Sequence, residues 1–301
     1  MERIKEALER ARQERQQVGY APGATAPPRG AVAPAQIVYT QTRHAEVSDE
    51  FLRNKRVITG SDPDAFTDAY GILRTQVLQQ LRENRWNALV VTSPGFNEGK
   101  TLTAINLAIS LAMEVSYTVL LVDANLRHPN VHSYFGIEPE FGLSDYLVAD
   151  KPLQEILVHP AGIQGLVILP GGKPLANSAE MLNSPKMSRL VEELKTRYPS
   201  RIVLFDLPPL LTTADAIAFA PYVDAALLVL EEGKTSTQDA QRATELLKDT
   251  QLIGAVLNKS LSKPADDGQA GSKLPWQNIP WSMVAGKLRQ WTTRLSRRKG
   301  S

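Results

Sequence analysis

Three short stretches of the 301-residue chain carry residues able to handle phosphate and a hard cation. The first is Val91-Thr92-Ser93-Pro94-Gly95-Phe96-Asn97-Glu98-Gly99-Lys100-Thr101, which follows an apolar run and opens a helical pattern. A loop in that setting cradles phosphate with backbone N–H groups and the positive end of the helix. The spacing assigns nucleotide contacts to Gly95, Phe96, Asn97, Glu98, Gly99, Lys100, Thr101 and Leu102. Lys100 would neutralise the β- and γ-oxygens of ATP, and the Thr101 hydroxyl would hold Mg2+. The match to G-x-x-x-x-G-K-[ST] is imperfect. Pro94 stands at the first glycine position and has no N–H, which leaves Gly95 to make the turn. The competing reading is an ordinary loop with a surface lysine.

The second stretch is Leu120-Leu121-Val122-Asp123-Ala124-Asn125-Leu126-Arg127, and the third is Ile202-Val203-Leu204-Phe205-Asp206-Leu207-Pro208-Pro209. Each is a buried-strand pattern that ends in a carboxylate. A carboxylate at such a strand end can hold magnesium opposite the loop hydroxyl, so Thr101, Asp123 and Asp206 form the expected metal set. Each Asp alone could equally cap the segment that follows it. Arg127 lies close behind Asp123 and adds a fixed positive charge.

These residues need a scaffold that brings strand ends together. Short apolar runs at 88–91, 119–122, 166–169, 202–205, 225–230 and 253–257 read as buried strands, and helical patterns at 101–114, 185–198 and 237–250 fall between them. A further helical stretch lies at 62–81, with Ser61 or Asp62 as its cap. The alternation predicts an α/β fold, a mostly parallel sheet flanked by helices on both faces, with the ligand at the carboxyl ends of the strands.

The ends of the chain differ from this middle. Residues 1–17 form a charged amphipathic helical pattern with Ile4, Leu8 and Ala11 on one stripe, either a solvated helix or a docking arm. Residues 18–60 read as a flexible linker and arm, dense in Pro, Ala and Gly around 21–35. The domain is expected over 61–260, and 261–301 form a linker and a basic amphipathic tail. In that tail Trp281, Val284, Leu288, Trp291 and Leu295 recur at helical spacing beside Lys287, Arg289, Arg294, Arg297, Arg298 and Lys299. The pattern fits either a helix on an anionic membrane surface or a stripe packed on the domain.

Charge is balanced overall, with Lys+Arg 34 against Asp+Glu 32, which argues against nucleic acid as a partner. No cysteine is present, so disulfides, thiolate metal sites and a cysteine nucleophile are excluded. The charged start and the lack of an apolar run of roughly 18 residues point to a cytoplasmic protein, sited at the inner face of the cell membrane if the tail binds lipid.

The three motifs together resemble those of the bacterial tyrosine kinases of exopolysaccharide synthesis, over about residues 62–259. In that family a Walker A motif, a D-x-D-x-R motif and a strand ending D-x-P-P correspond to Gly99-Lys100-Thr101, Asp123 to Arg127 and Asp206 to Pro209. Tyr222 to Leu230, Gly233-Lys234-Thr235 and Val256-Leu257-Asn258 are also similar, and the resemblance implies that Asn258 faces the adenine. The N-terminal Glu6-Ala7-Leu8-Glu9-Arg10-Ala11-Arg12 is similar to the exosortase-associated branch. The resemblance implies Lys100, Asp123, Arg127 and Asp206 as catalytic residues, with Asp123 serving magnesium or acting as base for an acceptor hydroxyl. It also implies ATP and Mg2+ as cofactors and a membrane chain-length regulator, a polysaccharide co-polymerase, as partner. Self-association is implied by the helix at 68–74, which departs from the family element at Asp68 and Gly71.

Two further departures bear on function. Asn125 replaces the second Asp of the D-x-D-x-R motif, and no tyrosine follows Tyr222, where the family has its phosphorylated cluster. An acceptor would then be Tyr20, Tyr39 or a tyrosine on another protein. The leading expectation is an ATP-dependent protein-tyrosine kinase or kinase-like ATPase. The alternative is a nucleotide switch that docks a membrane regulator without phosphorylating it. A positioning ATPase of the partition and division-site group ranks behind both, because Gly95 occupies the place of that group's signature lysine.

Overall fold

The computed structural model describes residues 42–59, 65–198 and 200–260. The elements in chain order are β1 (Arg43–Ala45), α1 (Asp49–Asn54), α2 (Ala65–Asn84), β2 (Ala88–Thr92), α3 (Lys100–Ala112), β3 (Thr118–Asp123), α4 (Val131–Tyr134), α5 (Leu143–Ala149), α6 (Leu153–Ile156), β4 (Val158–Pro160), β5 (Leu166–Leu169), α7 (Ser178–Leu182), α8 (Pro185–Thr196), β6 (Arg201–Asp206), α9 (Asp215–Phe219), β7 (Ala225–Glu231), α10 (Thr237–Leu246) and β8 (Gln251–Asn258). They build an eight-stranded sheet in the order β1-β4-β5-β3-β6-β2-β7-β8. Six strands from β5 to β8 run parallel, and the sheet reverses only where β4 meets β5.

Two apolar layers sandwich the sheet, and period-two alternation of side chains along each strand divides residues between them. Leu89, Val91, Leu121 and Leu204 join the layer built with α2 and α3. Ala88, Val90, Leu120, Val203 and Phe205 join the layer built with α7, α8 and α9. Strands covered on both faces need no polar alternation, which is why they read as continuous apolar runs. Each fully buried Leu or Phe contributes about 1.5–3 kcal/mol.

Helix starts follow local chemistry. Ser184 accepts from the Met187 N–H at 3.2 Å with Pro185 in the first turn of α8, and Ser236 accepts from the Asp239 N–H at 3.0 Å at the start of α10.

The core reaches further toward the N-terminus than the sequence suggests. Residues 43–58 fall in the stretch expected to be arm, yet β1 pairs with β4, and Leu52, Val57 and Ile58 are buried. The Asn106 side chain fixes this segment by accepting from the Ile58 N–H at 3.0 Å and donating to the Arg56 carbonyl at 3.0 Å. The two amphipathic patterns at 1–17 and 276–299, the linker at 21–35 and the cap at Ser61 or Asp62 lie outside the described residues. Among the described residues no helix is long and apolar enough to cross a membrane.

Candidate phosphate and metal site

The parallel register of β3 and β6 sets Asp123 directly opposite Asp206, and β2 on the other side of β6 sets Val91 opposite Asp206. The loop after β2 therefore starts beside the carboxylate pair. It is stitched to the segment after β6 by backbone bonds from Leu210 to the Ser93 carbonyl (2.8 Å) and from Leu211 to the Pro94 carbonyl (3.1 Å), and by the Thr92 hydroxyl on the Pro208 carbonyl (2.8 Å).

Within the loop, Asn97 and Gly99 take the left-handed backbone region, with φ of 63° and 91°. The turn expected at Gly95 is made by these two residues instead. The Gly95 N–H donates to the Glu98 carboxylate at 2.8 Å, so Gly95 closes the loop on itself rather than leaving its amide to a phosphate. Glu98 is buried and takes a second bond from the Thr235 hydroxyl, while its carbonyl accepts from the Asn258 side chain at 2.8 Å. Lys259 bridges the Asn97 carbonyl and the Glu231 carboxylate. Phe96 projects outward and is 54% exposed.

Gly99 cannot be replaced without loss. A Cβ there would lie 2.0 Å from Asn258 Nδ2 on a left-handed backbone. Asn258 thus packs against the loop through Glu98 and Gly99, the position from which the sequence resemblance turns it toward a base.

At the start of α3 the Lys100 ammonium sits 3.1 Å from the Thr101 hydroxyl and 3.6 Å from Asp206 Oδ1, and Thr101 donates to Asp206 Oδ2 at 2.7 Å. Asp206 Oδ1 is buried with no hydrogen-bond partner, an oxygen held ready without a donor. Asp123 accepts from the Asn130 and Val131 N–H groups at 2.8 and 2.9 Å, and from Asn125 at 3.3 Å. Burial pushes the Asp123 carboxyl up to about 7, and the charge of Asp206 adds to the effect against those two strong N–H bonds and Lys100. Burial likewise raises Asp206, against the pull of Lys100 and Thr101. A hydroxyl and two desolvated carboxylates, one of them with a buried oxygen that accepts no hydrogen bond, form a hard-oxygen donor set that suits Mg2+.

An open cavity of ≈ 1590 Å³ lies against Lys100 and Thr101 and extends between α2 and the end of β8. Phe66, Ile72, Phe96 and Leu257 give it an apolar wall, and Asn125, His128 and Tyr134 line its other side. Burial and the charge of Asp206 raise the Tyr134 phenol.

Of the expected catalytic residues, Lys100, Asp123 and Asp206 come together, and of the four Lys100 lines the cavity while Arg127 turns to Asp215. The Arg127 Nε pairs with Asp215 Oδ1 at 3.1 Å, and Asp215, fully buried at the start of α9, takes a second bond from the Ser178 hydroxyl. Asn125 turns its NH2 to the His128 carbonyl at 3.0 Å and leaves its buried Oδ1 without a partner. Asp215, Ser178 and Thr235 escaped sequence reasoning as site residues. Thr235 sits in a stretch the sequence does flag, Gly233-Lys234-Thr235.

A family model described as an AAA domain matches residues 97–263, more than half of the chain. The tyrosine-protein kinase YwqD of Bacillus subtilis is 34% identical over 223 residues, covering 73% of this chain and 92% of YwqD. The succinoglycan biosynthesis transport protein ExoP of Rhizobium meliloti is 30% identical over 243 residues, which cover 75% of this chain but only 30% of ExoP. Among solved structures, the kinase domain of the Escherichia coli tyrosine kinase ETK superposes with a TM-score of 0.63 at 25% identity, over 79% of this chain and 94% of that domain. With a likeness that runs across nearly all of YwqD and a P-loop sheet shared with ETK, the chain belongs to the bacterial tyrosine-protein kinase family.

Proposed function

We propose that the protein transfers the γ-phosphoryl group of Mg2+-bound ATP to a tyrosine hydroxyl in the service of exopolysaccharide synthesis or export. The observation that carries this reading is the register pair Asp123 and Asp206 beside Lys100 and Thr101. Lys100 draws charge from the phosphoryl group as its bond to ADP breaks, Thr101 and Asp206 would hold the metal, and Asp123 in its carboxylate form accepts the proton of the attacking hydroxyl or would complete the metal shell. Backbone N–H groups at the start of α3 and the apolar wall at Phe66 and Leu257 bind the triphosphate and base, with Asn258 fixing the loop near the base. Magnesium bound there would supply charge neutralisation to the phosphates. The name of ExoP, a succinoglycan biosynthesis transport protein, supports a role with polysaccharide, and the partner that goes with this reading is a membrane regulator of chain length at the inner membrane face.

A second reading, a nucleotide switch without tyrosine transfer, is favoured by Asn125, whose amide stands where the family motif places a carboxylate. Incubation with γ-labelled ATP and magnesium, with Lys100→Ala as control, separates them. Label on tyrosine in the native protein alone supports the kinase, and phosphate release without labelled protein supports the switch.

A further inference from the structure

At the opposite end of the sheet from the phosphate loop, where β2, β3 and β6 begin, a second pocket of ≈ 450 Å³ opens between the ends of α2 and α8. Its lining includes Arg82, Arg85, Lys195 and Arg201 together with Trp86 and Tyr117, and no carboxylate. Two of these cations have local explanations. Arg82 donates to the Tyr117 hydroxyl at 3.0 Å and lies over its ring in the last turn of α2, and Lys195 is paired with Asp224 at 2.6 Å in the last turn of α8. A cation in the last turn offsets the negative end of a helix.

Arg85 has no such explanation. It stands one residue past α2 at φ 59°, with the Arg85 N–H on the Arg82 carbonyl (3.3 Å) and the Trp86 N–H on the Leu81 carbonyl (2.9 Å). That is the helix-ending turn whose left-handed position favours glycine. An arginine there costs roughly 1 kcal/mol relative to glycine, and its side chain makes no hydrogen bond or ion pair among the described residues. Arg201 adds a second guanidinium, 7% exposed, with its carbon 4.0 Å from the centre of the Tyr198 ring. The result is an exposed arginine with no protein partner among the described residues, a buried one with contacts of its own, and two aromatic rings around a space large enough for one ring and its substituent.

We propose that this pocket binds phosphotyrosine. Guanidinium groups recognise a phosphate dianion through paired, charge-assisted bonds, and Trp86 and Tyr117 offer surface to the ring that carries it. The inference rests on the kinase reading, which makes phosphotyrosine the product. It gives that product a reading site on the same molecule, remote from the site of transfer.

The test is titration of the full chain, saturated with Mg·ADP to fill the phosphate loop, with N-acetyl-phosphotyrosine amide. Saturable binding is expected, with the unphosphorylated amide failing to saturate. Arg85→Ala should weaken binding about tenfold or more, and Arg85→Lys should recover part of the loss. Lys100→Ala, tested without nucleotide, should keep phosphotyrosine binding. That arm separates the pocket from the kinase reading, since absent kinase activity would leave it untouched. Peptides spanning 15–25 and 34–44 with phosphorylated Tyr20 or Tyr39 identify the source. Tighter binding than the free ring points to this chain's own arm, and equal or weaker binding points to a partner's tyrosine. The proposal is overturned by absence of saturable binding, by affinity unchanged in both Arg85→Ala and Arg82→Ala, or by inorganic phosphate competing as well as phosphotyrosine.

Discussion

Asp123 and Asp206 are register partners on adjacent parallel strands, both fully desolvated, with Lys100 as the cation that offsets their charge among the described residues. Two like charges in that position cannot both ionise cheaply. The folded state therefore holds more protons than the unfolded chain between about pH 4 and the raised value of about 7 at Asp123. Stability from these groups is fully present below the ordinary carboxylate range and falls as pH rises through 7. Mg·ATP binding should displace that proton and stabilise the protein more at pH 8 than at pH 6, by about 3 °C or more in Tm. In Asp123→Asn the metal-free protein should lose much of its pH slope and become more stable at pH 8, while phosphoryl transfer drops about 100-fold or more. Thermal melts of both proteins across pH, with and without Mg·ATP, decide the matter. An unchanged slope in the variant would remove Asp123 as the titrating group.

Among the described residues Lys100 makes its polar contacts within the site, to Thr101 and Asp206. Lys100→Ala should weaken ATP binding by about 100-fold or more while leaving a cooperative unfolding transition and a native circular dichroism spectrum. Retained ATP affinity in a folded variant would rule out this loop as the phosphate site.

Gly99 combines a left-handed backbone with the close approach of the Asn258 amide. Gly99→Ala should destabilise the protein by about 1–3 kcal/mol and abolish nucleotide binding. Asn258→Ala removes the steric clash but not the backbone strain, so the double variant should recover part of the stability in urea and none of the binding. Full recovery would mean that the clash alone makes glycine necessary.

The sheet centre was legible in the sequence because strands buried on both faces print as apolar runs, and their carboxylate ends stand out against them. Asp123 and Asp206 were readable for that reason, as was Gly99-Lys100-Thr101. The strands β1 and β4 were not. Arg-His-Ala at the sheet edge and Val-His-Pro beside it are three-residue strands that find partners only in the folded sheet, and no apolar period marks them. The loop's internal wiring was also hidden. Glu98 reads as one of the loop residues in contact with nucleotide, and only the arrival of Thr235 and Asn258 from distant segments makes it a buried brace. The pairing of Arg127 with Asp215 was not readable either, since that partner lies 88 residues away and resembles any first-turn acid of a helix.

That pairing gives Arg127 a positioning role that can be measured. Between Asp123 and α4 the chain must turn so that the Asn130 and Val131 N–H groups meet the Asp123 carboxylate. The Arg127 bond to Asp215, and the Leu175 N–H on the Leu126 carbonyl at 2.8 Å, hold the middle of that turn. Arg127→Ala leaves Asp215 buried with Ser178 as its remaining side-chain donor, which should cost on the order of 2–3 kcal/mol after allowing for the partial exposure of Arg127. Asp215→Asn should cost less, and the double variant should show a coupling of about 1–2 kcal/mol in a denaturant cycle. If Arg127 acts only through the turn, both single variants should weaken magnesium-dependent ATP binding by a similar factor and leave magnesium-independent ADP binding nearly unchanged. A much larger loss of transfer rate in Arg127→Ala than in Asp215→Asn, at equal metal affinity, would instead place the guanidinium on the substrate.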